Sequence, residues 1–326
     1  MADAMETRRC VILGTGGTIA GRATRPGDGV GYVAGQVRVE DLLASIPSMA
    51  GLPLEVEQVA QVDSKDMGFA LWQQLAIRVA FHLKRPEVDA VVITHGTDTI
   101  EETAFFLQTV LRPAKPVVFT CAMRPATALV PDGPQNLVDA LAVASQPGAQ
   151  GVVLVCAGQI HSAADVSKVH TYRVDAFDSG DAGPLGCVEE GRLRLFRSWP
   201  SACETGGWDA VALQRIQSAQ ALPPVVMLTS HADADGTLVR ALLFRGDSVP
   251  GPLVRGIVVA GTGNGTVHHA LEAALLEAQT MGVRVVRTSR CVHGPLLPHP
   301  GQLLTDARSL TPVKARIALA LELLEG

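Results

Sequence analysis

Several short stretches of this sequence set hydroxyls beside charges just past apolar runs. They are GTGGT (14–18), VDSKDM (62–67), THGTDT (94–99), AMRPAT (122–127), AGQIHSAADVSK (157–168) and GTGNGT (261–266). A hydroxyl is a poor nucleophile at its free pKa and needs a base together with a positive or dipolar partner. Thr18, Thr97, Asp98 and Lys168 are the residues here that could meet that need. A lysine beside an aspartate can polarise a threonine hydroxyl while backbone N–H groups hold an oxyanion. On residue types alone a plainer reading stands beside this one: Thr97 and Asp98 cap the helix that follows, and Lys168 is a solvated surface charge.

Other chemistries fail on spacing. A dinucleotide fingerprint needs G-x-G-x-x-G or a final Ala, and counting from Gly14 the third position is Ile19. A P-loop needs Lys and then Ser or Thr after its last glycine, whereas Thr18 and Ile19 follow Gly17. No serine lies in a G-x-S-x-G elbow. Histidines and cysteines do not cluster at ligand spacing: His268 and His269 are adjacent, His293 and His299 straddle prolines, and all read as solvated or core residues. No metal and no cofactor is expected. A formal charge of -5 without a basic cluster gives nucleic acid no electrostatic footprint.

The elements that must carry these loops are strands alternating with helices, the pattern of a largely parallel sheet covered on both faces. Strands are expected at 10–14, 54–61, 89–94, 116–121 and 151–157, with helices at 69–84, 99–112 and 135–146. A hairpin is expected at 186–197. Thr99 to Glu102 spells a capping box, opening the second of these helices just after HGTDT. A second series follows Pro223-Pro224, with strands at 225–230, 256–261 and 283–287 and helices near 266–281 and 312–324. The expected organisation is a larger domain over 1–199, a linker at 200–221 and a smaller α/β domain over 222–326. In such sheets ligands bind outside the carboxyl ends of the strands, where the polar loops lie.

No apolar segment is long enough to span a membrane, and the N-terminal stretch MADAMETRRCVILG lacks the apolar core of a secretory signal. The six cysteines, several inside apolar runs and none in C-x-x-C, read as reduced thiols. The expected compartment is the cytoplasm.

Taken together, TGGTIAG (15–21) and HGTDTIEETAFFL (95–107) are similar to the two signature segments of the bacterial-type L-asparaginase and glutaminase-asparaginase family. The resemblance runs on through DSKDM (63–67), AMRP (122–125), DGPQNL (132–137), the Asp-Val-Ser-Lys stretch ending at Lys168, GPLG (183–186), GNG (263–265) and TPVKARIALAL (311–321). It implies a larger N-terminal flavodoxin-like parallel-sheet domain and a smaller C-terminal α/β domain. It also implies a homotetramer, built as a dimer of dimers, with each site shared between neighbouring subunits. The activity it implies is hydrolysis of the side-chain amide of asparagine, and in some members glutamine, through a threonine acyl-enzyme without cofactor.

Carried over by position, Thr18 is the nucleophile and Tyr32 its activating partner on a glycine-rich lid. Thr97, Asp98 and Lys168 form the second cluster. Gly17, Ser64, Lys65, Thr97, Asp98, the Ala122 backbone and Asn264 are the substrate contacts. Ser64 and Asp98 take the α-carboxylate and α-amino group. Two positions depart from the family pattern. Lys65 stands where the secreted-type members commonly have Gln, and residues 291–302 (CVHGPLLPHPGQ) lack the acid that the family usually lends across the subunit interface. Both make the α-amino end less negative, which leaves open a relaxed or different ω-amide substrate, either glutamine or an amide with a blocked or absent α-amino group. A non-catalytic amino-acid-binding protein on the same fold is the alternative outside the enzymes.

Overall fold

A computed structural model describes residues 9–23, 25, 31–202, 209–244 and 252–325. The chain divides into two units, Met1–Ser218 and Ala219–Gly326.

In chain order the first unit contains β1 (Arg9–Gly16), β2 (Arg22–Ala23), β3 (Tyr32–Val33), α1 (Val39–Ala44) and β4 (Leu54–Val62). Next come α2 (Phe69–Leu83), β5 (Val88–Thr94), α3 (Ile100–Leu111), β6 (Pro116–Thr120) and α4 (Gly133–Ala144). The unit closes with β7 (Gly151–Cys156), β8 (Gln159–Ser162), β9 (Ser167–Lys168), β10 (Phe177–Asp178), β11 (Gly186–Glu189), β12 (Arg192–Leu195) and α5 (Ala210–Ser218). The main sheet runs β12-β11-β8-β7-β6-β5-β1-β4. Strands β4, β1, β5, β6 and β7 are parallel to one another. Taken by their order in the chain they read 2-1-3-4-5, the flavodoxin-like arrangement.

Strand alternation sorts the apolar residues onto two faces. Ile12, Val92, Val118 and Val153 pack with Val39 and Leu42 of α1 and Leu137 and Leu141 of α4. Helices α2 and α3 pack against each other and the sheet. There Trp72 stacks on Phe106 with ring centroids 4.9 Å apart and donates its indole N–H to Thr103 Oγ1 at 2.9 Å.

Three expectations need correction. The stretch 157–168, read as a loop, begins with an antiparallel strand. Ala157 and Gly158 both have positive φ (50° and 73°) and close a two-residue hairpin that pairs Cys156 with Gln159. Glu190 and Gly191 (50° and 70°) do the same in the β11–β12 hairpin, which was expected. The capping box at Thr99 does not form, because the Thr99 hydroxyl donates instead to the Ser64 carbonyl at 2.7 Å. Finally, the expected linker is shorter. Residues 210–218 form α5, whose Leu213 and Ile216 are buried, and it packs on α2 and α3. Its first turn is fixed by Asp209, which accepts the Ala212 N–H and pairs with Arg112.

The second unit contains β13 (Val225–Thr229), α6 (Thr237–Leu243), β14 (Gly256–Gly261), α7 (His269–Thr280), β15 (Arg284–Ser289), β16 (Thr305–Asp306) and α8 (Pro312–Glu325). Its four-stranded sheet, β13-β14-β15-β16, is parallel throughout. Helices α6 and α7 cover Ile257, Val259 and Val285, and α8 covers Val258 and Val286. His268 caps α7 by accepting the Ala270 N–H. No helix among the described residues is long and apolar enough to cross a membrane.

Candidate active site

The order of the parallel strands reverses around β1, and the loops leaving β1, β4 and β5 converge there. Gly17, at φ 80°, lies so close to Gly96 that a Cβ on it would sit 2.3 Å from the Gly96 Cα. A Cβ on Gly96 would in turn meet Ser64 Oγ at 2.5 Å. Only glycine permits this contact of backbone on backbone, and it draws the three loops into one place.

Past Gly17 the chain makes a single 3-10 turn, Thr18–Ala20, all of it buried. The Thr18 hydroxyl is 2.6 Å from the Tyr32 phenol oxygen. The ring of Tyr32 lies where a Cβ on Gly21 would strike it at 2.8 Å, so Gly21 makes room for the pair. Of the expected lid, residue 24 and residues 26–30 lie outside the described residues.

The second group stands on the loop after β5. Lys168 Nζ donates to Thr97 Oγ1 at 2.8 Å and to Asp98 Oδ1 at 2.7 Å. Thr97 is buried and the Lys168 side chain is 16% exposed, whereas Asp98 is 55% exposed and turns its carboxylate outward. An ammonium so placed draws electron density from the threonine oxygen. Lys168 reaches this point because β9 pairs with β10, setting Lys168 opposite Phe177. Glu101, in the first turn of α3, also accepts the Lys168 backbone N–H at 3.4 Å. Sequence reading passed over Glu101; its only signal was its place one residue before the expected capping glutamate.

Ser64 is buried, and its hydroxyl accepts the Asp98 N–H at 3.2 Å. Lys65 turns away: its ammonium pairs with Asp66, lies 3.9 Å from Asp63, and leaves its side chain 60% exposed. Its pKa is raised first by the bond to Asp66 and further by the charges of Asp63 and Asp98. Ala122 lies buried just past β6.

His95, between β5 and Gly96, was also missed. It is fully buried against Phe119, its Nδ1 bonds the Gly96 carbonyl at 2.8 Å, and its Nε2 has no partner among the described residues. Burial pushes its pKa down to about 4, so the ring is neutral at pH 7. Asn264 lies in the second unit. Its Nδ2 donates to the Leu297 carbonyl at 3.0 Å and its Oδ1 accepts the Leu297 N–H at 2.8 Å. Among the described residues no three His, Cys, Asp or Glu gather to hold a metal ion.

A family model described as "Asparaginase, N-terminal" matches residues 9–201, and one described as "Glutaminase/Asparaginase C-terminal domain" matches 224–326. This chain belongs to the asparaginase family. It is 36% identical over 316 residues to a glutaminase-asparaginase of Pseudomonas fluorescens biotype A, covering 94% of this chain and 84% of that one. It is 34% identical over 331 residues to a probable periplasmic L-asparaginase of Haemophilus influenzae, covering 99% and 90%. The solved structure of a probable cytoplasmic L-asparaginase from Campylobacter jejuni superposes with a TM-score of 0.87 at 36% identity, covering 98% of this chain and 96% of that one. Within this asparaginase chain the hydroxyl groups, the lysine and the aspartate stand on the strand ends where an α/β sheet binds its ligands.

Proposed function

We propose that the chain is an L-asparaginase that hydrolyses the side-chain amide of L-asparagine to L-aspartate and ammonia through an acyl-enzyme on Thr18. The observation that carries this reading is the meeting of two activated threonines at one strand-end crevice: Thr18 on the Tyr32 phenol and Thr97 on the Lys168 ammonium. In acylation the Thr18 oxygen bonds to the amide carbon, its proton passes toward Tyr32, the C–N bond breaks and the nitrogen leaves protonated as ammonia. Lys168 and Asp98 orient the Thr97 hydroxyl, which aligns the water that cleaves the ester, its hydroxide going to the acyl carbon and its proton to the departing Thr18 oxygen. The Gly17 N–H is taken by the Val62 carbonyl, so the backbone N–H groups of Thr18 and Thr97 are the candidates for holding the oxyanion.

The α-carboxylate goes to Ser64 and the α-ammonium to Asp98. Lys65 does not oppose this grip, because Asp66 and Asp63 hold its charge. Three carboxylates, Asp63, Asp66 and Asp98, stand against the two ammonium groups of Lys65 and Lys168. That balance supports asparagine despite the missing acid at 291–302. Glutamine is the second substrate reading, favoured by the relatives that carry both activities in their names.

We further infer a homotetramer in which the second unit of a neighbour, through its GNG turn, completes each site. No cofactor and no nucleic-acid partner enters this reading. The cytoplasm is the proposed compartment, supported by the five free cysteines among the described residues, four of them buried. The test is acid quench of the purified protein during turnover of asparagine, followed by peptide mass analysis. An aspartyl adduct on Thr18, with ammonia released, is expected. Ammonia without any adduct on Thr18 would remove the threonine from the mechanism, and no ammonia would remove the activity.

A further inference from the structure

Asn136 stands in the first turn of α4, 2% exposed, with both ends of its amide engaged. Its Nδ2 donates to the Cys121 carbonyl at 3.0 Å, and lies 3.4 Å from Asp132 Oδ2 and 3.7 Å from Cys156 Sγ. Its Oδ1 accepts the Ala157 N–H at 2.9 Å. One side chain therefore ties the end of β6 to the end of β7. Asp132, at the start of α4, works from the other side. Its two oxygens accept the N–H groups of Met123 and Arg124, each at 2.9 Å.

The two side chains clamp the backbone immediately before and immediately after Ala122. Ala122 itself is wholly buried and makes no backbone hydrogen bond with any described residue. Buried backbone groups are normally paired, and here the Cys121 carbonyl before Ala122 and the Met123 N–H after it are both held by side chains. Gly133 brings α4 close at this point. A Cβ there would lie 2.9 Å from the Ile19 side chain and 3.3 Å from the Ala122 Cβ, so the helix touches Ala122 and the turn carrying Thr18 together.

We infer that Asn136 and Asp132 are positioning residues that hold the Ala122 carbonyl to accept an N–H of the substrate's leaving amide. The inference rests on the proposed asparaginase reading, with Ala122 beside the amide. During acylation the Thr18 oxygen–carbon bond forms, the carbon–nitrogen bond breaks and the nitrogen takes up a proton. Holding one N–H on the Ala122 carbonyl turns the nitrogen lone pair toward the proton donor. An aspartate β-ester gives the same acyl-enzyme but releases an alcohol that carries no N–H. The clamp on Ala122 therefore bears on amides and leaves esters alone.

The experiment compares kcat/KM for L-asparagine and for the β-methyl ester of L-aspartate in wild type, Asn136→Ser and the milder Asp132→Asn, with thermal unfolding measured alongside. Turnover of asparagine should fall about tenfold or more in both variants while that of the ester stays within about threefold. A residue that only supports the fold would lower both substrates together, and an equal loss overturns the inference. If Asn136→Ser does not fold, the Asp132→Asn comparison decides by itself. A wild-type protein that cleaves the ester but not asparagine would overturn the substrate reading and the inference with it, a result distinct from an unchanged amide-to-ester ratio in an active wild type.

Discussion

Each unit carries a loop rich in glycine and threonine at the end of a parallel strand: GTGGT after β1 and GTGNGT after β14. Their polar groups are used in opposite ways. In the first unit Thr18 bonds a phenol and Thr97 bonds an ammonium, side chains able to pass or polarise a proton. In the second unit the Thr262 and Thr266 hydroxyls bond each other at 2.8 Å, and Asn264 is engaged by the Leu297 backbone. Ser289 donates to the Gly263 carbonyl at 2.6 Å. Arg287, buried with its pKa lowered by desolvation, donates to the carbonyls of Asn264 and Gly265 at 3.1 and 3.2 Å. The second loop is a fixed surface, whereas the first holds reactive groups. Residue composition does not separate the two; the partners of the hydroxyls do.

Exchanging the roles of the two loops should have the largest effect. Thr18→Ala should lower turnover of asparagine by about 10³-fold or more, as removal of one member of a catalytic unit does. Thr262→Ala, which frees one hydroxyl in the fixed loop, should stay within about threefold. Steady-state ammonia release measures both, and similar losses in the two variants would erase the contrast.

Lys168→Met should follow, with a loss on the order of 10²- to 10⁴-fold in kcat, the usual contribution of a positioned proton-handling group. The unfolding midpoint should move little, because the Lys168–Asp98 pair is partly open to solvent. A variant with near-normal kcat would return Lys168 to the role of a surface charge.

His95 sharpens the comparison from the side of stability, since it is the scaffold residue inside the reactive loop. Its folded-state pKa is depressed, so the unfolded chain binds a proton that the folded chain refuses. The resulting stabilisation is complete above the ordinary imidazole pKa and is lost as pH falls from there through about 4. Denaturant titrations at stepped pH should give a loss of roughly 3 kcal/mol across that window, and His95→Asn should flatten it. A wild-type profile level between pH 7 and 4 would mean that the buried ring takes up its proton freely.

The smallest effect is expected at Lys65. Because Asp66 holds its ammonium, Lys65→Gln should change the ratio of asparagine to succinamic acid turnover by no more than about threefold. A tenfold change would show that Lys65 leaves Asp66 and reads the substrate's amino group.

Periodicity and punctuation were enough for the strands and helices that dominate each unit, because a buried parallel strand must be continuously apolar and a covering helix must repeat at its own period. The short elements escaped. Strand β8 begins after a two-residue turn whose Ala157 takes a conformation that alanine rarely adopts, and α5 carries only two buried apolar residues. Thr18, Thr97, Asp98 and Lys168 stood out by residue type and by lying past apolar runs. Asn136 and Glu101 gave no such signal, since their importance depends on which backbone groups they meet far along the chain, and His95 owes its state to burial against Phe119.

By itself the sequence determined the alternation of strand and helix, the two-unit organisation, the polar strand ends and the four residues fit for hydroxyl chemistry. These follow from local properties: apolar periodicity, glycine where the backbone must turn, and the charge and proton affinity of each side chain. Only the tertiary structure decided which of those residues meet. The reversal of strand order around β1 presses Gly17 against Gly96, and the β9–β10 pairing carries Lys168 to Thr97. It also turned Lys65 toward Asp66 and Asn264 toward Leu297. The reason is physical: a hydrogen bond acts over about 3 Å, and only folding brings residues that are far apart in the chain within that distance.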